Sequence, residues 1–273
     1  MKRIFVTGRQ GKLGSLLIQR EGFVAFDGDI TDYSSVGKMA KKLMVAPDDL
    51  VVNCAGMTSI DECESDEVKA FIVNMGGIEN LHKVFGSRVL NISTDQVFSG
   101  EWTLSLRKEK SFRSPINAYG ASKFGAEAIS EINEGKTIRL SRTISIEDTD
   151  IAKYIMRLYR EEDIEVPDFF FRNYLTRSQA VDGIEYFAKN YDNMPAVVNY
   201  GSKENISMDN LMRRIAVEFK LDPDNVISRD YRIEGLIPRP EYGGFNTSLA
   251  KRLGFPYYKI SDVVKELGRS ANV

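Results

Sequence analysis

The chain of 273 residues is 42% hydrophobic and 28% charged, with a formal net charge of −2. This is an ordinary globular balance on a length that can bury one large core or two modest ones. It excludes nucleic acid or a membrane surface held by bulk charge, though not a small anion at a local site.

The opening "MKRIFVTG" passes straight into a strand over 3–8, which leaves no room for a signal peptide. No apolar run approaches the roughly 18 residues needed to cross a bilayer, so a cytoplasmic protein is expected. A helix is predicted over 12–20, a strand over 22–27, a helix over 34–44 and a buried strand over 49–56. A further helix should run from about Asp66 to Phe85 and a strand over 88–94. The stretch "INAYGASKFGAEAI" (116–129) supplies another helix, and "KTIRLS" (136–141) another strand. Strands alternating with helices of this length predict an α/β fold built on a doubly wound parallel sheet. "LVVNCA" reads as one continuous apolar run because such a sheet is covered on both faces.

After about residue 145 the rhythm loosens. Thr176 and Gln179 form a capping-box pattern ahead of a helix, and "AVVNYGS" (196–202) is a strand. Ser207 should cap an amphipathic helix, and "SDVVKELGR" is a last short one. "DFFFRNYL" (168–175) reads as core strand packing, with Arg172 a weak candidate for a substrate phosphate. No repeat or linker is evident. The division expected is 1–145 as a dinucleotide-binding Rossmann domain and 146–273 as a smaller substrate-binding lobe with segments returning to the first.

The dinucleotide reading starts from "VTGRQGKLGS", which carries Gly8, Gly11 and Gly14 between the first strand and first helix. Glycines there let the backbone turn tightly and approach a pyrophosphate, whose charge faces the helix N-terminus. A ligand-free glycine turn is the competing reading, and the place of the loop in the fold favours a nucleotide. Asp27, ending the second strand, suits the ribose hydroxyls of NAD, whereas Arg9 inside the loop suits the 2′-phosphate of NADP. The two point in opposite directions and leave the cofactor form open.

Proton chemistry needs an unusual carrier. The chain has one histidine, His82, and two cysteines, Cys54 and Cys63, which speaks against a histidine triad, a metal site or a disulfide framework. Cys54 ends an apolar run and reads as an inert buried thiol. Of the twelve tyrosines, only Tyr119 has a lysine four places on, Lys123. On a helix the two share a face, and an adjacent ammonium lowers a phenol's pKa toward the range of a general acid. By itself the pair is more readily a solvated surface feature. "LNISTDQVFSG" ends a strand with Ser93, Thr94 and Asp95, where open parallel sheets bind ligands and a hydroxyl can polarise a carbonyl, though a polar strand end capping a turn is as plain a reading.

The glycine loop, "NCAG", "STDQVF" and "YGASK" follow one another in the order and approximate spacing of the extended short-chain dehydrogenase/reductase superfamily. "STDQVFSG…SPINAYGASKFGAE" most resembles the dTDP-4-dehydrorhamnose reductase branch. "GDITD", "DECESDEVKAFIVN" and "RPEYGGFNTSLAKRLGF" extend the likeness over nearly the whole chain.

The resemblance implies a Rossmann-like fold and NAD(P)H-dependent reduction of a 4-keto-6-deoxy nucleotide sugar. It implies Tyr119 as proton donor, Lys123 lowering its pKa and holding the nicotinamide ribose, and Thr94 on the carbonyl. Gly8, Arg9, Gln10, Gly11, Lys12, Leu13 and Gly14 would follow the pyrophosphate, with Asp29 and Ile30 on the adenine side. Asn53, Ala55, Gly56, Met57 and Thr58 would flank the cofactor further along. Asp95 would lie beside the substrate. Arg142 stands where many relatives have tryptophan, and Arg239 lies in a C-terminal loop folded over the sugar nucleotide in related enzymes. Both are substrate candidates, with a surface salt bridge the plainer role for Arg142.

Two other functions fit the same fold. A nucleotide-sugar 4-epimerase would recycle its cofactor. A non-catalytic regulatory subunit of the methionine adenosyltransferase type would need no tuned phenol. Dehydration is disfavoured because Gln96, not glutamate, follows Asp95. No metal is implied, and a homodimer is compatible with the resemblance.

Overall fold

The structure is a computed structural model describing residues 2–102, 105–230 and 237–271. Its centre is a six-stranded, wholly parallel sheet. In chain order the strands are β1 (Ile4–Thr7), β2 (Phe23–Ala25), β3 (Leu50–Asn53), β4 (Val89–Thr94), β5 (Lys136–Leu140) and, much later, β9 (Val197–Tyr200). Their spatial order is β2-β1-β3-β4-β5-β9, so the order reverses at β1 and β3. A crevice at such a reversal, beyond the carboxyl ends of the strands, is where open sheets of this kind bind ligands.

Both faces are covered, as the apolar runs require. Ile4, Val6, Leu50, Val52, Leu90 and Ile138 face one way, toward α1 (Gly14–Leu17), α8 (Arg177–Lys189) and α10 (Ser248–Arg252). Phe5, Val51 and Val89 face the other, toward α2 (Tyr33–Lys42), α5 (Gly77–Phe85) and α6 (Ala118–Ile132). A separate core joins α7 (Thr149–Tyr159), β7 (Ile164–Pro167), α9 (Met208–Glu218), β10 (Val226–Arg229) and α11 (Ile260–Ala271). Short strands β6 (Thr143–Ile144) and β8 (Leu175–Thr176) pair between these regions.

Several local expectations change. The helix predicted over 12–20 is a four-residue α1, because Gln19 and Arg20 donate three residues back, to Leu16 and Leu17, and tighten the chain out of the helix. The helix predicted over 66–85 is broken. Beyond α3 (Ile60–Ser65), α4 (Glu67–Phe71) leads into one π-helical turn, Ile72–Gly76, and then α5. "DFFF" is not a strand: Phe170 has φ +62° and the segment makes only single bridges, Phe171 with Tyr242 and Arg172 with Ile206. Ser207 stands at the head of α9, but its hydroxyl bonds Asp209 rather than the helix backbone. The Thr176/Gln179 capping box is present as read.

Candidate active site

The loop after β1 is built for a close backbone approach. Gly8 has φ +63°, and a Cβ there would stand 2.6 Å from the Ala55 nitrogen. A Cβ on Gly14 would stand 2.2 Å from the Gly8 carbonyl oxygen. The loop therefore lies flush on the end of β3, with Gly11 N–H closing a turn onto Gly8 at 2.9 Å. Thr7 locks the two strand ends, donating to Asn53 Oδ1 at 2.6 Å and accepting from Ala55 N–H at 3.2 Å. Arg9, Gln10, Gly11 and Lys12 are exposed along this edge and Leu13 is half-buried.

Arg9 is ion-paired with Asp27, so the two residues with opposed cofactor preferences hold each other. Lys12 pairs with Asp148 at 2.9 Å. Asp29 accepts from the Thr31 amide and hydroxyl, which keeps its carboxyl below its ordinary pKa, and Ile30 is buried with its carbonyl accepting from Asn80.

The loop after β3 is held by a residue the sequence reading missed. Asn74, in the π turn, accepts from Met57 N–H at 2.8 Å and donates to the Met57 carbonyl and the Ser122 hydroxyl, both at 2.9 Å. One amide thus ties Gly56, Met57 and the exposed Thr58 to α6. The clue was a lone buried Asn inside the apolar run "FIVNMG".

α6 starts at Ala118 because Asn117 caps it, accepting from Gly120 N–H at 2.8 Å. Tyr119 lies in its first turn and Lys123 one turn on. The Tyr119 phenol lies near the Thr94 hydroxyl at the end of β4, close enough for the two to interact electrostatically. Burial pushes the phenol above its ordinary pKa, against the opposing effect of the Thr94 hydroxyl, with the Asp95 charge adding to the rise. The sequence argument had Lys123 lowering this value. Burial outweighs any such effect, and the phenol stays protonated. The ionisable partner is Lys123 itself, 6% exposed and pulled down to about 8 by burial while Glu127 opposes the drop. Cys54 and Cys63, pushed up by burial to about 12 and about 11, are thiols near neutral pH.

Glu127, a turn beyond Lys123, was also missed, although its place four residues on along the same face was readable. It is buried, accepting from Arg139 through both oxygens at 2.8 Å, from Arg113 at 2.8 Å and from Ser93 at 2.5 Å. These bonds hold its carboxyl below the usual range despite burial.

Tyr119 and Lys123 thus lie one turn apart on α6, with Tyr119 near Thr94 at the carboxyl end of β4, while the outer candidates are engaged elsewhere. Asp95 is ion-paired with Arg172, Arg142 with Asp150, and Arg239 with Asp61 at 3.3 Å. No cluster of three or more metal-ligating side chains occurs among the described residues, and no helix among them is long and apolar enough to cross a membrane.

The model of one protein family, RmlD substrate binding domain, matches residues 1–190. The dTDP-4-dehydrorhamnose reductase of Aggregatibacter actinomycetemcomitans is 28% identical over 175 residues, covering 60% of this chain and 59% of that protein. The dTDP-4-keto-6-deoxy-D-glucose reductase of Streptomyces niveus is 32% identical over 181 residues, covering 61% and 62%. The matches therefore span about three-fifths of these curated relatives. The crystal structure of dTDP-4-dehydrorhamnose reductase from Bacillus anthracis str. Ames in complex with NADP aligns with a TM-score of 0.86 at 22% identity, over 99% of this chain and 100% of that one. That likeness establishes a shared fold.

Proposed function

The chain belongs to the RmlD substrate binding domain family, and from that premise we propose that it is an NAD(P)H-dependent reductase of a 4-keto-6-deoxy nucleotide sugar. The observation that carries this is the placement of Thr94 at the carboxyl end of β4 with Tyr119 near it and Lys123 one turn further along α6. Residues 1–145 would hold the cofactor and 146–273 supply most of the sugar-nucleotide site.

The residues fit a dinucleotide. The space a Cβ would fill at Gly8 and Gly14 is taken by neighbouring backbone, so glycine there lets the loop fold this closely, and N–H groups of such a turn would meet a pyrophosphate. Gly8 to Gly14 would follow the pyrophosphate, Asp29 and Ile30 the adenosine, and Ala55 to Thr58 the nicotinamide side. With α1 only four residues long, these loop N–H groups carry more of the anion's binding than any helix dipole. Arg9 and Asp27 neutralise one another, consistent with use of either cofactor form. When bound, the nicotinamide supplies a hydride to the keto carbon.

The protein's own part is placement and charge. Thr94 holds the carbonyl oxygen, and Tyr119 Oη gives that oxygen its proton as alkoxide character develops. A phenol held protonated by burial is in the form this step requires. The Lys123 ammonium then stabilises the phenolate left behind. Asp95, Arg142 and Arg239 border the sugar nucleotide, the two arginines by exchanging their carboxylate partners for phosphate or sugar oxygens.

The test is oxidation of NADPH and NADH by purified protein with a panel of 4-keto-6-deoxy nucleotide sugars. Stoichiometric oxidation with formation of the 4-hydroxy sugar supports the reading. Interconversion of sugar nucleotides without net cofactor consumption would replace it with epimerisation.

A further inference from the structure

Arg172 is turned into the molecule and only 4% exposed, paired through Nε with Asp95, which is equally buried. The rest of its guanidinium is used as well. Nη1 donates to the Phe171 carbonyl at 2.8 Å and the Glu241 carbonyl at 3.2 Å, and Nη2 to the Pro240 carbonyl. On its other side, Asp95 Oδ1 accepts the Thr94 hydroxyl at 3.1 Å. A continuous set of contacts therefore runs from the 238–243 segment through Arg172 and Asp95 to the threonine that meets Tyr119.

The 238–243 segment borders the candidate site at further points. Asn117, the cap of the Tyr119 helix, donates to the Pro238 carbonyl at 2.9 Å, and Arg239 reaches Asp61. Tyr242 N–H bonds the Gly100 carbonyl at 2.9 Å. Gly243 passes so close to the buried pair that a Cβ would stand 2.8 Å from Asp95 Oδ2 and from the Arg172 guanidinium.

We propose that Arg172 is a positioning residue that couples the 238–243 segment to the catalytic hydroxyl of Thr94 through Asp95. Two physical effects follow. Thr94 has a single proton, which Asp95 Oδ1 already accepts, and without Arg172 the bare carboxylate would hold it more firmly, in competition with a substrate carbonyl. The same bare charge would oppose the oxyanion forming beside it. Arg172 compensates that charge, and its planar fork clamps the segment in the same act. A lysine has one ammonium centre and cannot fill both sides.

This inference rests on the reductase reading only for its kinetic part, and hydrogen exchange tests it without turnover. In full-length Arg172→Met, the amides of Phe171 and Tyr242 should exchange at least ~10-fold faster, while those of β1 and β3 keep their protection. Should Arg172→Met fail to fold, Arg172→Lys carries the same exchange test.

In keto-sugar reduction, Arg172→Met and Asp95→Asn should each lower kcat roughly 10- to 100-fold, with NADPH affinity unchanged. The double variant should be no slower than the slower single one. Unchanged exchange at Phe171 and Tyr242, multiplicative losses in the double variant, or a loss confined to KM would each overturn the proposal. If wild-type protein reduces no keto sugar, the reductase reading fails and the exchange result alone decides the coupling.

Discussion

In the proposed reaction, Tyr119 and Lys123 divide the proton chemistry differently from what a tyrosine–lysine spacing suggests. Burial keeps the phenol protonated well above neutral pH, so its titration does not limit activity there. Lys123, pulled down to about 8, is the group that changes charge in the working range. Glu127 faces it and favours the ammonium, and Cys54 and Cys63 are the other ionisable neighbours. As pH rises through about 8 the ammonium is lost, and with it the charge that stabilises a phenolate. A pH profile of kcat/KM, which reports the free enzyme, should therefore fall on its basic side from about pH 8. A profile flat to pH 10, roughly the ordinary tyrosine value, would assign that role to another group.

α6 is the element that organises the site. Asn117 starts it, Tyr119 and Lys123 sit one turn apart on it, and Glu127 anchors it against β5 through Arg139. Removing Glu127 leaves a guanidinium 1% exposed without its carboxylate. Glu127→Ala should destabilise the fold by about 3–5 kcal/mol, read from urea unfolding. The glycine loop is the second critical element. Gly14→Ala drives a methyl into the Gly8 carbonyl, so cofactor binding should weaken at least ~100-fold while the circular dichroism spectrum stays native.

Both elements were legible in the sequence, because glycine spacing and a Tyr-x-x-x-Lys face are local signals. The π turn was not. Its apolar residues continue the helical pattern, and only the polar Asn74 among them betrays it. Nor were the inward course of Arg172 and the irregular "DFFF" segment, since both depend on contacts with residues about 70 positions away. Composition marks such a stretch as apolar and cannot say which carboxylate will meet its arginine.

At the scale of the molecule, the glycine loop, the Met57 loop and Thr94 all lie at the carboxyl ends of neighbouring interior strands, with Tyr119 near Thr94. The last strand of that sheet, β9, arrives only after α7, β7 and α8, which interleaves the second core with the first in chain order. The Pro238–Gly243 segment then returns from the C-terminal part to Asn117 and Asp95. Everything in the functional account meets at one oxygen atom. Tyr119→Phe removes it while leaving the ring, the helix and the glycine loop in place. Cofactor oxidation by a 4-keto-6-deoxy nucleotide sugar should fall by ~10²–10⁴ in kcat, with the dissociation constant for NADPH unchanged. Wild-type turnover in that variant would contradict the account.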